Sequence, residues 1–449
     1  MAEGPASWVS VRTDEQAGRV GFDFLAKTLG LPVSGPPGES VAIDAIAPGV
    51  LQRIGDALRW PRASSRWDDH GRLRPEGILH EPVVDRLAQQ VLATVRAAFE
   101  RRGSPLVRIW PWRHGRPFGV ALSHDVDLHR KWRARTALSY AIRRGDFRGI
   151  VSRIRRRPDP WWTFDTIQEL ERRAAVRSTF FLAAGGDHPE DPTYRIENLR
   201  MRTLARDLHT EGWEVALHGS YRASADDRLI RDEKVRFERA TGLAVDTYRQ
   251  HYLRFHGDSP RRIQGAGFRY DSSLGTEYTL GFLTGVSVPH TIDGLVELPV
   301  SLMDTCFQPA SDVNRAYGTQ AARESAIRDV LGNTRNVQGL VVVDWHQNYF
   351  DEEAYPGFRR LYKVILGDTS EADRGGVREL ARWWETRGAA QVRKEAERWT
   401  VHGTDLPAGL TIAVTGGVLH SEVATFDSRA QGESLASFLT PGPWEFSIT

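Results

Sequence analysis

The chain has 449 residues, a net charge of only +2 and one cysteine, Cys306. A single thiol excludes an intrachain disulfide framework, and the balanced charge gives no sign of a polyanionic partner. With 40% apolar and 26% charged residues, the composition is that of a globular protein able to build a large core. No stretch reaches the ~18–20 apolar residues of a membrane span. Met1-Ala-Glu-Gly-Pro-Ala-Ser-Trp8 shows no basic segment leading into an apolar run, so a cytoplasmic protein is expected.

Residues 1–112 mix short apolar runs with helical periodicity, as in Val83-Val84-Asp-Arg-Leu87-Ala-Gln-Gln-Val91-Leu92, and read as an N-terminal α/β or helical unit. Trp110-Pro111-Trp112, followed by Gly115 and Pro117, marks a join. From 113 to 392 strand-like runs at 118–123, 177–183, 213–217, 244–249, 296–302 and 340–345 alternate with helical patterns, which predicts βα units and a parallel sheet or barrel. The last helical stretch lies near Gly376–Arg387. Residues 393–449 read as a small β-rich tail, with strands expected around Leu410-Thr-Ile-Ala-Val-Thr-Gly416 and Pro443-Trp-Glu-Phe-Ser-Ile448.

Chemistry-bearing side chains stand where four of these apolar runs stop. Phe118-Gly-Val-Ala-Leu-Ser123 leads into His124-Asp125-Val126-Asp127, Trp213-Glu-Val-Ala-Leu217 into His218, Val296-Glu-Leu-Pro-Val-Ser-Leu-Met303 into Asp304, and Leu340-Val-Val-Val-Asp-Trp345 into His346. The C-terminal ends of parallel strands face one mouth, where ligands collect. Asp125 and Asp127 are two apart and on an extended segment face the same side. One of such a pair can bind a cation while the other takes a proton from water. Taken singly, each residue also has a bland reading, as a helix cap or a core histidine. Together they predict a hydrolytic metal site.

Ser-His124-Asp125-Val-Asp127, Arg177-Ser-Thr179-Phe180-Phe181-Leu, Glu214-Val-Ala-Leu-His218-Gly-Ser220-Tyr221, Arg249-Gln250-His251-Tyr252, Leu298-Pro299-Val-Ser-Leu-Met-Asp304 and Asp344-Trp345-His346-Gln347-Asn348 follow one another in a fixed order. As a set this resembles the motifs of the NodB-type polysaccharide deacetylases, carbohydrate esterase family 4, in a branch whose first motif is His-Asp-Val-Asp. The likeness spans roughly residues 116–390. It implies a distorted (β/α) barrel that removes acetyl groups from N-acetylated sugars with one divalent metal ion, often Zn2+. By the resemblance Asp125 matches the catalytic base, Arg249 the arginine that holds it and His346 the general acid. Asp127 and His218 match metal ligands, and Asp304 lies in a strand that supplies an acidic residue behind the site. The branch implies a role in surface-polysaccharide metabolism.

One position departs from the pattern. The family's second motif carries two histidines four apart, and here the second is Arg222, which cannot ligate a cation. His251, at the end of the 244–249 strand, is the expected replacement. The tetrahedral oxyanion is expected to rest on the metal and on a backbone N–H near Tyr221. Tyr221, Trp345 and Asp304 are expected to bind substrate, Trp345 as a flat ring against a sugar face. Residues 130–157 hold eleven Lys or Arg against one acid, Asp146. Beside a solvated helical surface, the pattern fits peripheral contact with an anionic inner membrane face or a grip on a phosphate-bearing, lipid-linked sugar. No nucleic-acid module accompanies it. Two rival readings are a hydrolase of a non-sugar amide or cyclic imide and a carbohydrate-binding pseudoenzyme degenerated through Arg222.

Overall fold

The structure is a computed structural model, and it describes residues 7–11, 16–33, 39–43, 49–58, 79–131, 142, 159–308, 317–395, 398–422, 424–429 and 433–449. Most of the basic stretch 130–157, and with it the expected membrane contact, lies outside the described residues. No described helix is long and apolar enough to cross a membrane.

The centre is a ten-stranded sheet. Its order is Leu302–Met303, Leu340–Asp344, Gly119–Val126, Thr179–Ala183, Glu214–Gly219, Thr247–Gln250, Tyr270–Asp271, Leu295–Glu297 and His290–Ile292, with Asp373–Gly375 added beside Gly119–Val126. Every pairing is parallel except the last hairpin of Leu295–Glu297 with His290–Ile292. The strands Leu340–Asp344, Thr179–Ala183 and Glu214–Gly219 are buried along their whole length, as expected where helices cover a parallel sheet. The α/β barrel class implied by the motif resemblance is present.

The expected strand at 296–302 is two strands, Leu295–Glu297 and Leu302–Met303, lying near opposite ends of the sheet. Pro299 between them has no N–H for a ladder. Leu298 N donates to Asp271 O on one side of the gap, and Ser301 N to Val342 O on the other. The four residues 298–301 reach at most about 14 Å. The sheet must therefore curl until its ends approach, which makes an incomplete barrel with one mouth at the strand C-termini.

The periodic run from Val83 forms the helix Val83–Arg101, with Val84, Ala88, Val91, Leu92 and Val95 buried on one face, and the stretch near Gly376 forms Val377–Ala389. Eight strands build two four-stranded sheets near the C-terminus, and Phe438 packs on Trp444 and Phe446 between them. One of the eight is Leu106–Ile109, which pairs antiparallel with Thr411–Thr415. Residues 1–112 and 393–449 thus share a sheet, locked by Arg108 on Glu433 at 3.0 Å.

Candidate metal centre and catalytic site

The register of the sheet explains why distant residues meet. Val126 pairs with Leu182, and Ala183 with His218, which in turn pairs with Arg249. Asp127, one residue past Val126, therefore stands level with His218 and Arg249 at the mouth, and the curl brings them together. Gly219 allows the close packing after His218: a Cβ there would lie 1.9 Å from the Tyr248 hydroxyl oxygen.

His218 Nδ1 lies 3.0 Å from Arg249 O, and His251 Nε2 lies 2.8 Å from Glu190 O. A carbonyl only accepts, so each of these nitrogens carries its ring's proton. The other nitrogens, His218 Nε2 and His251 Nδ1, are 3.0 Å apart. Asp127 Oδ1 stands 3.3 Å from the first and 3.5 Å from the second, and it is buried without a hydrogen-bond partner. With those protons so placed, these three atoms are left facing one another, where a shared proton or a cation can join them. A tetrahedral ion with bonds of ~2.0–2.1 Å has ligand–ligand edges of about 3.3–3.4 Å, close to the distances found. The donor set of Asp127, His218 and His251 therefore fits one divalent ion. Arg222 is 58% exposed and faces Asp187 at 3.3 Å.

Asp125 lies beside this set, with Oδ2 3.6 Å from His218 Nε2. Arg249, fully buried, donates from Nη1 to Asp125 Oδ1 and to Ser123 Oγ, each at 2.8 Å. The same nitrogen is 3.2 Å from Asp344 Oδ1. Nε and Nη2 are held by Ser272 O and Ser272 Oγ. On the other side His346 Nε2 lies 3.4 Å from Asp127 Oδ2, and Asp304 fixes that imidazole by accepting from its main-chain N and pairing with Nδ1 at 2.9 Å.

The electrostatics divide the groups. Burial pushes the Asp125 carboxyl up, but Arg249, His218 and His346 hold it below its usual range. Asp127 is likewise held well below, by His251, His218 and His346 against burial. Burial would lower His346, yet Asp304 and Asp344 hold it well above the usual imidazole value. His218 is raised by Asp125 and Asp127 in spite of burial, whereas burial keeps His251 low. Burial pushes Asp344 up to about 7. Groups pushed in opposite directions at one site mark a base and an acid.

These groups open onto a cavity of about 470 Å³ lined by Asp125, Asp127, His251 and His346, with Tyr252, Tyr349 and Tyr355 among its walls. That volume falls within the range of small-molecule sites.

Three expectations need correction. Trp345 does not line the cavity: it is fully buried and packs against Phe307, Phe358 and Tyr362. Adjacent residues of an extended segment face opposite ways, so His346 in the mouth sends Trp345 into the core. Asp304 is also fully buried and reaches His346 rather than substrate. The Tyr221 amide donates to Asp191 Oδ1 at 2.7 Å, and the Tyr221 ring stacks on His188 and under Arg254, so neither amide nor ring lines the cavity.

Asp344 and Glu171 belong to the site as well. Asp344 lies two residues before His346, the same i, i+2 spacing as Asp125 and Asp127, and that spacing could have signalled it. Glu171, buried beneath the site, accepts from Trp213 Nε1, Tyr362 OH and Ser178 Oγ and lies 2.9 Å from His124 Nε2. It sits in a helix with no sequence mark to distinguish it.

No family model matches the chain, and no curated protein does. Solved structures give partial likenesses. A proposed polysaccharide deacetylase from Mycobacterium smegmatis is 23% identical over 61% of this chain and 92% of its own, with a TM-score of 0.43. The allantoinase PuuE is 13% identical over 60% and 90%, with a TM-score of 0.40. A family 4 acetyl xylan esterase from Clostridium thermocellum, in complex with a cobalt ion, is 14% identical over 58% and 89%, with a TM-score of 0.31.

Proposed function

We propose that this chain is a divalent-metal-dependent hydrolase that removes the acetyl group of an N-acetylated sugar. One observation carries the proposal: His218 Nε2, His251 Nδ1 and Asp127 Oδ1 face one another within 3.0–3.5 Å, where Asp127 and His251 line a cavity together with Asp125 and His346. Two imidazoles and one carboxylate form a set of the kind used at catalytic zinc centres, and Zn2+ is the first candidate ion. A cation held there would supply a bound water of lowered pKa and a Lewis acid for the acyl oxygen. Asp125, kept ionised and oriented by Arg249, accepts a proton from the water whose oxygen adds to the acyl carbon. His346, backed by Asp304, gives its Nε2 proton to the nitrogen that leaves as the C–N bond breaks.

The ordered motifs support a sugar substrate within surface-polysaccharide metabolism, and the basic stretch 130–157 is what favours a lipid-linked form of it at the inner membrane face. We assign the chemistry to 113–392 and a packing role to 1–112 and 393–449.

Elemental analysis of the purified chain beside its His218→Ala and His251→Ala variants tests the centre. About one equivalent of metal in the wild type and loss in both variants is expected. Acetate release from N-acetylated sugars, set against a panel of cyclic amides, tests the substrate. Turnover confined to the cyclic amides would replace the sugar reading, and a chain without metal would favour a binding protein.

A further inference from the structure

The three side chains at the cavity floor come from three strands, and one loop touches the segments that carry all of them. The loop runs from His188 to Thr193, after the strand Thr179–Ala183. Thr193 N donates to Asp127 O at 3.2 Å. Asp191, largely buried, accepts from Tyr221 N through Oδ1 and from His188 N through Oδ2, each at 2.7 Å, which fixes the turn that follows His218. Glu190 holds the third segment twice: its main-chain oxygen accepts from His251 Nε2 at 2.8 Å, and its Oε2 accepts from Tyr252 OH at 2.6 Å.

The second bond bears on a strained turn. Tyr252 and Leu253, directly after His251, have φ of 61° and 48°. Non-glycine residues hold this left-handed conformation only where their surroundings over-determine it, and such strain collects at functional sites. The Glu190 carbonyl selects the His251 tautomer that leaves Nδ1 free to face Asp127 and His218. A partner on the far nitrogen of a metal-binding histidine orients the ring and raises its affinity. The Glu190 side chain is exposed, so the Tyr252 hydroxyl, rather than core packing, anchors it over that turn.

We infer that Glu190 and Tyr252 form a clasp that positions His251 for a cation shared with Asp127 and His218. The inference rests on the metal-centre reading above and makes both positioning residues, acting through His251. It also gives the substitution at Arg222 a structural counterpart: the ligand moves to the neighbouring strand end, and a loop from a third strand holds it there.

The test is a titration of the metal-stripped full chain with Zn2+ against a chromophoric chelator, together with the visible absorption of the Co2+ form. Tyr252→Phe and Glu190→Ala should each weaken Zn2+ binding by roughly 10–100-fold and alter the Co2+ bands. Glu190→Gln, whose amide oxygen can still accept from Tyr252, should keep most of the affinity. The melting temperature of the metal-free chain should not move. Wild-type affinity and Co2+ bands in both Tyr252→Phe and Glu190→Ala would overturn the clasp. So would a fall in metal-free melting that accounts for the lost affinity, since that marks a merely structural bond. If the wild type holds Zn2+ tightly but releases no acetate from N-acetylated sugars, the deacetylase reading fails, and the affinity series still decides the clasp.

Discussion

Arg249 is a group whose removal should cost the fold heavily. Its guanidinium is fully buried, and one nitrogen serves two carboxylates, Asp125 at 2.8 Å and Asp344 at 3.2 Å. At an effective dielectric of about 20, each contact represents about 5–6 kcal/mol of attraction, most of it offset by desolvation of the three charges. Arg249→Met keeps bulk and removes the charge, leaving two buried carboxylates without their cation. Loss of one partner from a buried pair typically costs about 3–5 kcal/mol, and that is the expected loss in urea denaturation of the metal-stripped protein followed by tryptophan fluorescence. Asp344→Asn alone should change stability by about 1 kcal/mol or less, because burial already disfavours that charge. The double variant should be more stable than the sum of the two losses by roughly 1 kcal/mol or more, since neutralising Asp344 relieves part of what Arg249→Met leaves behind. Additivity within about 0.5 kcal/mol would show that the three groups do not share one charge balance.

Asp125→Asn should retain the metal while kcat falls about 10²–10⁴-fold, whereas Asp127→Ala should lose metal and turnover together; elemental analysis beside acetate release separates the two. Arg222→Ala should leave metal content unchanged, because the side chain points to solvent; depleted metal would place it at the centre after all. Asp304→Asn removes the leading cause that holds His346 high. The imidazolium then loses its proton at lower pH, and the alkaline limb of the kcat profile should move down. An unmoved limb would assign that limb to another group. Asp85, buried in the first turn of Val83–Arg101 with Ser287 N on its Oδ2 at 2.6 Å, is pushed by burial from 3.8 up to about 7. The unfolded chain releases this proton first, so its contribution is full below about pH 4 and is lost as pH rises to about 7. Over roughly three units that amounts to about 4 kcal/mol. In Asp85→Asn the drop in melting temperature between pH 5 and pH 8 should shrink; an unchanged drop would place the titration elsewhere.

Much of the site could be read in the sequence because parallel strands end in one place. His218, His346 and the pair Asp125 and Asp127 each follow an apolar run long enough to be a buried strand, and sheet register alone then brings them together. His251 could be grouped with them because it directly follows the next strand, Thr247–Gln250, in the sheet. Misassignments arose where direction matters more than position. Trp345 is adjacent to His346 and for that reason faces away from it, and Asp304 ends a strand yet serves another side chain. Glu190 was missed because its main-chain oxygen does part of the work, and a carbonyl leaves no trace in residue identity. The break at Pro299 was visible as a residue, but that it divides a run between opposite ends of a sheet follows only from the curl.

The strand Leu106–Ile109 carries a consequence for how the chain is made. Its one partner strand, Thr411–Thr415, and Glu433 are supplied from the C-terminal end, and Arg108 meets Glu433 across 325 residues. During synthesis this short apolar strand emerges early and must wait for nearly all the remaining polypeptide before its edge is covered. Contacts so distant form slowly, and an uncovered strand edge invites pairing with other chains. Expression variants cut before residue 411 should therefore aggregate even with every cavity residue intact, so the tail guards the finished chain against a hazard that the nascent one must survive without it.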